Sequence, residues 1–119
     1  MRFLEIKELE NGEISMVIEL YGEVCPFTED RKTVMDKLER DLKDALENDH
    51  MLIALEDEKV IAFSWAQIHE DKKGRIVDTV RMLLISPSRY GMGIGGQLME
   101  KEKEYARERG VDMLDIDVR

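Results

Sequence analysis

Residues 81–96 read RMLLISPSRYGMGIGG, an apolar strand pattern that stops at Ser86-Pro87 and passes through a glycine-rich turn into a helix. Gly91, Gly93, Gly95 and Gly96 let the backbone approach a ligand closely, and the helix start beyond them offers free N–H groups and a positive dipole to an anion. The stretch reads as a phosphate cradle. Beyond it the pattern from Ile94 to Arg109 is helical, Gly110 has the chemistry of a C-terminal cap, and residues 111–118 return as a strand. Strand, glycine turn, helix and strand make a parallel crossover, in which ligands sit beyond the carboxyl end of the first strand. The glycines lie there.

Toward the N-terminus the pattern changes to a meander. Residues 75–85 should form a long, central strand, entered through the turn signals at residues 71–74. Residues 60–68 and the wholly apolar residues 51–55 read as two antiparallel strands joined at Asp57-Glu58. Before them Val34, Met35, Leu38, Leu42, Ala45 and Leu46 recur at helical spacing, with Thr28 as the expected N-cap. Ile14, Val17, Ile18 and Tyr21 define a shorter helix that Gly22 and Cys25-Pro26 should end, and residues 1–9 alternate as an edge strand.

The chain has 119 residues, which predicts one domain spanning 1–119. Its 27 acidic residues against 18 basic ones give a net charge of −9, which argues against nucleic-acid or anionic-membrane partners. The single cysteine, Cys25, cannot form an internal disulfide, and the start resembles no signal peptide, so a cytoplasmic location is expected. His50 and His69 lie at strand edges without acidic, His or Cys partners at ligand spacing, so no metal is expected and surface or local hydrogen-bonding roles are. Trp65 reads as core and Cys25 as a pocket or core thiol.

Three kinds of glycine turn must be separated. A P-loop needs Lys-Ser/Thr after its last glycine, where this chain has Gln97-Leu98. Gly91, Gly93 and Gly96 do fit the dinucleotide pattern G-x-G-x-x-G, with Asp115 about twenty residues on. That fingerprint follows its strand at once, however, whereas Ser86 to Tyr90 intervene here, and the preceding meander belongs to another architecture. A dinucleotide-binding domain is thus the lesser alternative.

The run from Leu83 to Leu98 resembles the acetyl-CoA motif of the GCN5-related N-acetyltransferases (GNAT), Gln/Arg-x-x-Gly-x-Gly/Ala. Gly93, Ile94 and Gly95 match its end, and Ile85 and Pro87 match the hydrophobic and proline positions before it. Tyr90 stands where the family usually has Gln or Arg, with Arg89 one place early. The resemblance implies an α/β (α+β) fold, a mixed central sheet of about five strands flanked by three helices. It also implies that the family's C-terminal strands, which follow the fifth strand, are missing from this chain.

By that resemblance, backbone groups of Leu83, Leu84 and Ile85 would pair with the pantetheine arm of acetyl-CoA. Amides of Tyr90, Gly91, Met92, Gly93, Ile94, Gly95 and Gly96 would hold its pyrophosphate. Residues 114–119, LDIDVR, are similar to the fifth strand of the protein N-terminal acetyltransferase branch, which makes Asp117 the candidate catalytic base; Arg81 takes the place where many relatives carry a glutamate, and the family's usual thiolate-protonating tyrosine has no counterpart. The implied activity is acetyl transfer from acetyl-CoA to a primary amine of a small molecule or a protein. A truncated, non-catalytic CoA-binding or regulatory module is the alternative, and a homodimer would cover the edge of the fifth strand.

Overall fold

In the computed structural model, residues 1–6, 12–24, 30–46 and 48–116 are described. The two apolar runs of the meander form β2 (His50–Glu56) and β3 (Lys59–Glu70). Asp57 and Glu58 join them with φ of 52° and 63°, and Glu56 pairs with Lys59. Positive φ at both loop residues is the geometry whose twist matches flanking antiparallel strands. β4 (Ile76–Ile85) pairs antiparallel with β3, and β1 (Arg2–Glu5) pairs antiparallel with β2 as an edge strand. β5 (Met113–Ile116) lies parallel to β4, from Val77 opposite Met113 to Val80 opposite Ile116. The mixed sheet has the order β1-β2-β3-β4-β5.

Strand alternation sorts the core onto two faces. Met51, Ile53, Leu55, Phe63 and Leu84 pack against Ile14, Val17 and Ile18 of α1 (Glu13–Val24) and Leu38 and Leu42 of α2 (Arg31–Ala45). On the opposite face, Leu52, Ala54, Ala62 and Val80 pack against Ile94, Leu98 and Met99 of α3 (Ile94–Glu108). Because side chains alternate, Met82 belongs to the α1/α2 face and Leu83 and Ile85 to the α3 face. Trp65 pairs with Met82 and Ala66 with Val80, so Arg81 is the extra residue of a bulge in β4. No helix among the described residues is long and apolar enough to cross a membrane.

Several expectations need correction. β3, not β4, is the central strand, since β1 adds to the far side of β2. Gly22 does not end α1, which continues to Val24. A Cβ at Gly22 would stand 2.9 Å from the tip of the Arg31 side chain, which is long enough to swing aside. The cap of α2 is Asp30, whose carboxylate accepts from the Lys32 amide at 3.2 Å and the Thr33 hydroxyl at 2.8 Å. Thr28, Cys25 and Asp117 lie outside the described residues, as does the second half of the first predicted strand.

Candidate functional site

At the end of β4 the chain leaves the sheet through Ser86, whose amide donates to the Ile61 carbonyl at 2.8 Å. Pro87–Arg89 form one short 3-10 turn. The Arg89 guanidinium reaches back to Glu56 at the end of β2, in a half-buried ion pair that ties the turn to the sheet. Arg89 is thereby committed to a scaffold role, while Tyr90 and Met92 are exposed.

Gly93 caps α3 with φ of 75°, a left-handed conformation, and no side chain caps the helix. The first amide bonded back is that of Gln97, to the Gly93 carbonyl at 3.1 Å. The amides of Ile94, Gly95 and Gly96 meet no acceptor among the described residues, which is the ordinary deficit of a helix start and fits an anion. Gly91, Gly93 and Gly96 are exposed, and a Cβ built on any of them would meet nothing within 4 Å. The geometry fits a phosphate group held by backbone alone. Of the residues named from the sequence, those from Tyr90 to Gly96 lie here, and Leu83, Leu84 and Ile85 end β4 ahead of the intervening residues 86–89.

A groove of about 410 Å³ opens on the other face of the sheet, where Met82 immediately precedes Leu83. It is lined by Tyr21 of α1, Val34 and Leu38 of α2, Trp65 of β3 and Met82 of β4, with Thr33, Lys37 and Asp41 along α2. Trp65 packs against the core and borders this groove as well. Its indole Nε1–H donates to Asp49 Oδ2 at 2.7 Å; the same oxygen accepts from Gln67 Nε2 at 2.9 Å, and Arg81 donates to Gln67 Oε1. Sequence reading missed this lining, because Trp65 and Met82 meet only through the β3–β4 pairing and the remaining lining comes from two helices.

The end of the sheet remote from the glycine turn holds a buried polar cluster. His50 opens β2, Asp78 lies near the start of β4, and Glu102 projects from α3; all are buried. His50 Nδ1 and Glu102 Oε1 are 2.6 Å apart, and the imidazole stacks on Tyr105 at 3.4 Å. Burial lowers the pKa of His50, which favours the neutral ring. Burial, then the neighbouring Glu102 carboxyl, pushes Asp78 up to about 8, and burial also raises Glu102. The expected surface role for His50 is therefore wrong, because α3 covers it. The sequence did carry a signal: Glu102 falls on the stripe of Leu98 and Ala106, and Asp78 lies within an apolar strand. His69 makes the local bond expected, to Thr79 Oγ1 at 2.9 Å.

Strand, uncapped glycine turn, helix and parallel strand on an antiparallel meander recur in known proteins. The model of the Acetyltransferase (GNAT) family matches residues 14–119. The chain belongs to the GNAT acetyltransferase family. A protein of Archaeoglobus fulgidus named an uncharacterized N-acetyltransferase is 29% identical over 124 residues, which cover 95% of this chain and 80% of that one. Among solved GNAT-like structures, a ribosomal-protein-alanine N-acetyltransferase from Brucella melitensis superposes with a TM-score of 0.78 at 16% identity, covering 100% of this chain and 81% of that one. A GNAT family acetyltransferase from Staphylococcus aureus gives 0.75 at 11% identity, with 98% and 87% covered. At these identities the two structures speak for the GNAT fold alone.

Proposed function

We propose that this GNAT protein is an N-acetyltransferase that takes acetyl-CoA at the glycine turn and a primary amine in the groove beside Met82. The observation that carries the reading is the run of uncapped amides at Ile94, Gly95 and Gly96, at the start of the helix that follows β4 through the Pro87–Arg89 turn. Amides converging at a helix start bind a diphosphate without a lysine, so an acidic chain can hold an anionic cosubstrate. Backbone groups of Leu83, Leu84 and Ile85 receive the pantetheine arm. Acetyl-CoA supplies the activated acetyl thioester; the chain must orient it, offer an N–H to the carbonyl oxygen as charge develops there, and accept the amine proton. The backbone near Ile85 is assigned the second task. Asp117, from the sequence pattern of residues 114–119, is assigned the third.

Calorimetric titration with acetyl-CoA, followed by a turnover assay over amines and peptides, tests the reading. Saturable binding and an acetylated product are expected, with Asp117→Asn lowering kcat/KM at neutral pH. Failure to bind acetyl-CoA would sink the proposal, and NADH binding in its place would favour the dinucleotide alternative. Binding without any product would turn it toward a CoA-binding regulatory module.

A further inference from the structure

The groove on the α1/α2 face has a chemistry of its own. Tyr21, Val34, Leu38, Trp65 and Met82 give it a largely apolar lining. Its charged lining consists of Lys37 and Asp41, one turn apart on α2, which cancel in net charge. Asp49 does not line the groove, and its Oδ2 accepts from both Trp65 and Gln67. That bond satisfies the indole N–H and fixes the ring, so what Trp65 offers the groove is apolar surface. An acceptor with several ammonium groups would meet one carboxylate and one ammonium. An acceptor with one amine on an apolar body would bury that body against Trp65 and Met82.

Resting on the acetyl-transfer reading, we propose that the acceptor is a primary amine carried by a single apolar or aromatic group of about the size of one amino-acid side chain. Trp65 and Met82 are its specificity-determining residues. The volume of about 410 Å³ accommodates such a group. Met82 lines the groove and adjoins, along β4, the segment assigned to the pantetheine arm. Free amines and peptide N-termini both present this chemistry.

Trp65 is the single tryptophan of the chain, so its fluorescence reports the groove directly, without turnover. Emission would be titrated with phenethylamine, with a short peptide amide beginning in Phe, and with spermidine, each in the presence and absence of CoA. A saturable shift with phenethylamine or the peptide is expected, at concentrations at least about tenfold below any effect of spermidine. Whichever of the two binds about tenfold more tightly identifies the source as small molecule or protein N-terminus. Val34→Glu, at a half-buried groove position on α2, should weaken that binding about tenfold and leave CoA affinity within about twofold. Stronger response to spermidine, no response to either apolar amine at millimolar concentration, or indifference to Val34→Glu would overturn the proposal. Loss of CoA binding in the unaltered protein would strike at the acetyl-transfer reading instead, because the fluorescence result does not depend on it.

Discussion

Gly93 and Gly96 sit three residues apart under different constraints. Gly93 needs a left-handed backbone, so any side chain there strains the turn whatever space surrounds it. Gly96 is helical and its Cβ would point into open space, so Gly96→Ala should hold or raise thermal stability through better helix propensity. The same methyl would intrude on the approach to the first-turn amides, and acetyl-CoA affinity should fall about tenfold or more, a change of about 1.4 kcal/mol read by calorimetry. Unchanged affinity would remove the pyrophosphate from this turn. Asp78 gives a second prediction. Its carboxyl ionises at 3.8 ordinarily and at about 8 in the folded protein, so both states are protonated at low pH and the carboxyl costs nothing there. As pH rises from about 4 to 8 the unfolded chain releases this proton and the folded one retains it, so stability falls across that window and levels off above it. His50 works in the opposite sense, but only below its ordinary 6.5. Asp78→Asn should therefore be more stable than the parent by roughly 1–3 kcal/mol at pH 8, with the gap closing toward pH 5 in urea titrations.

At the scale of elements, the β2–β3 hairpin turns on two acidic residues that both hold positive φ, a conformation glycine adopts without cost. Glu58→Gly should raise the unfolding free energy by about 0.5–1 kcal/mol in chemical denaturation, since the Arg2 ion pair it removes is exposed. This hairpin and the glycine turn were legible because their chemistry is local: two residues between strand runs, or glycines between a strand and a helix, specify a turn by themselves. The element order followed for the same reason. The buried cluster was not legible, because His50, Asp78 and Glu102 come together only when three separate elements pack. Gly22 misled for the converse reason. A glycine near a helix end often stops it, but here α1 runs two residues past it to Val24. Trp65 was legible as packed against the core, but its second surface, bordering the groove, depends on how α1 and α2 cross the sheet.

For the whole molecule, a net charge of −9 would oppose the arrival of the proposed anionic cosubstrate, while the helix-start amides would favour it only at contact. Raising ionic strength from about 0.01 to 0.15 M shortens the Debye length from about 30 to 8 Å, which screens the first effect more than the second. Acetyl-CoA should thus bind about two- to threefold more tightly at the higher salt, the reverse of what a basic phosphate-binding face would show. The sheet order carries a separate consequence, for the sequence of folding events. β2, β3 and β4 close through short connections, each strand beside its chain neighbour, whereas β1 waits for both helices to find β2 and β5 waits for α3 to cross back. Loop-closure entropy therefore favours a nucleus of three meander strands, with the two outer strands added late and released first. The parallel strand that completes the crossover is among the last parts to be secured, so the glycine turn is assembled on a scaffold whose nucleus has already formed.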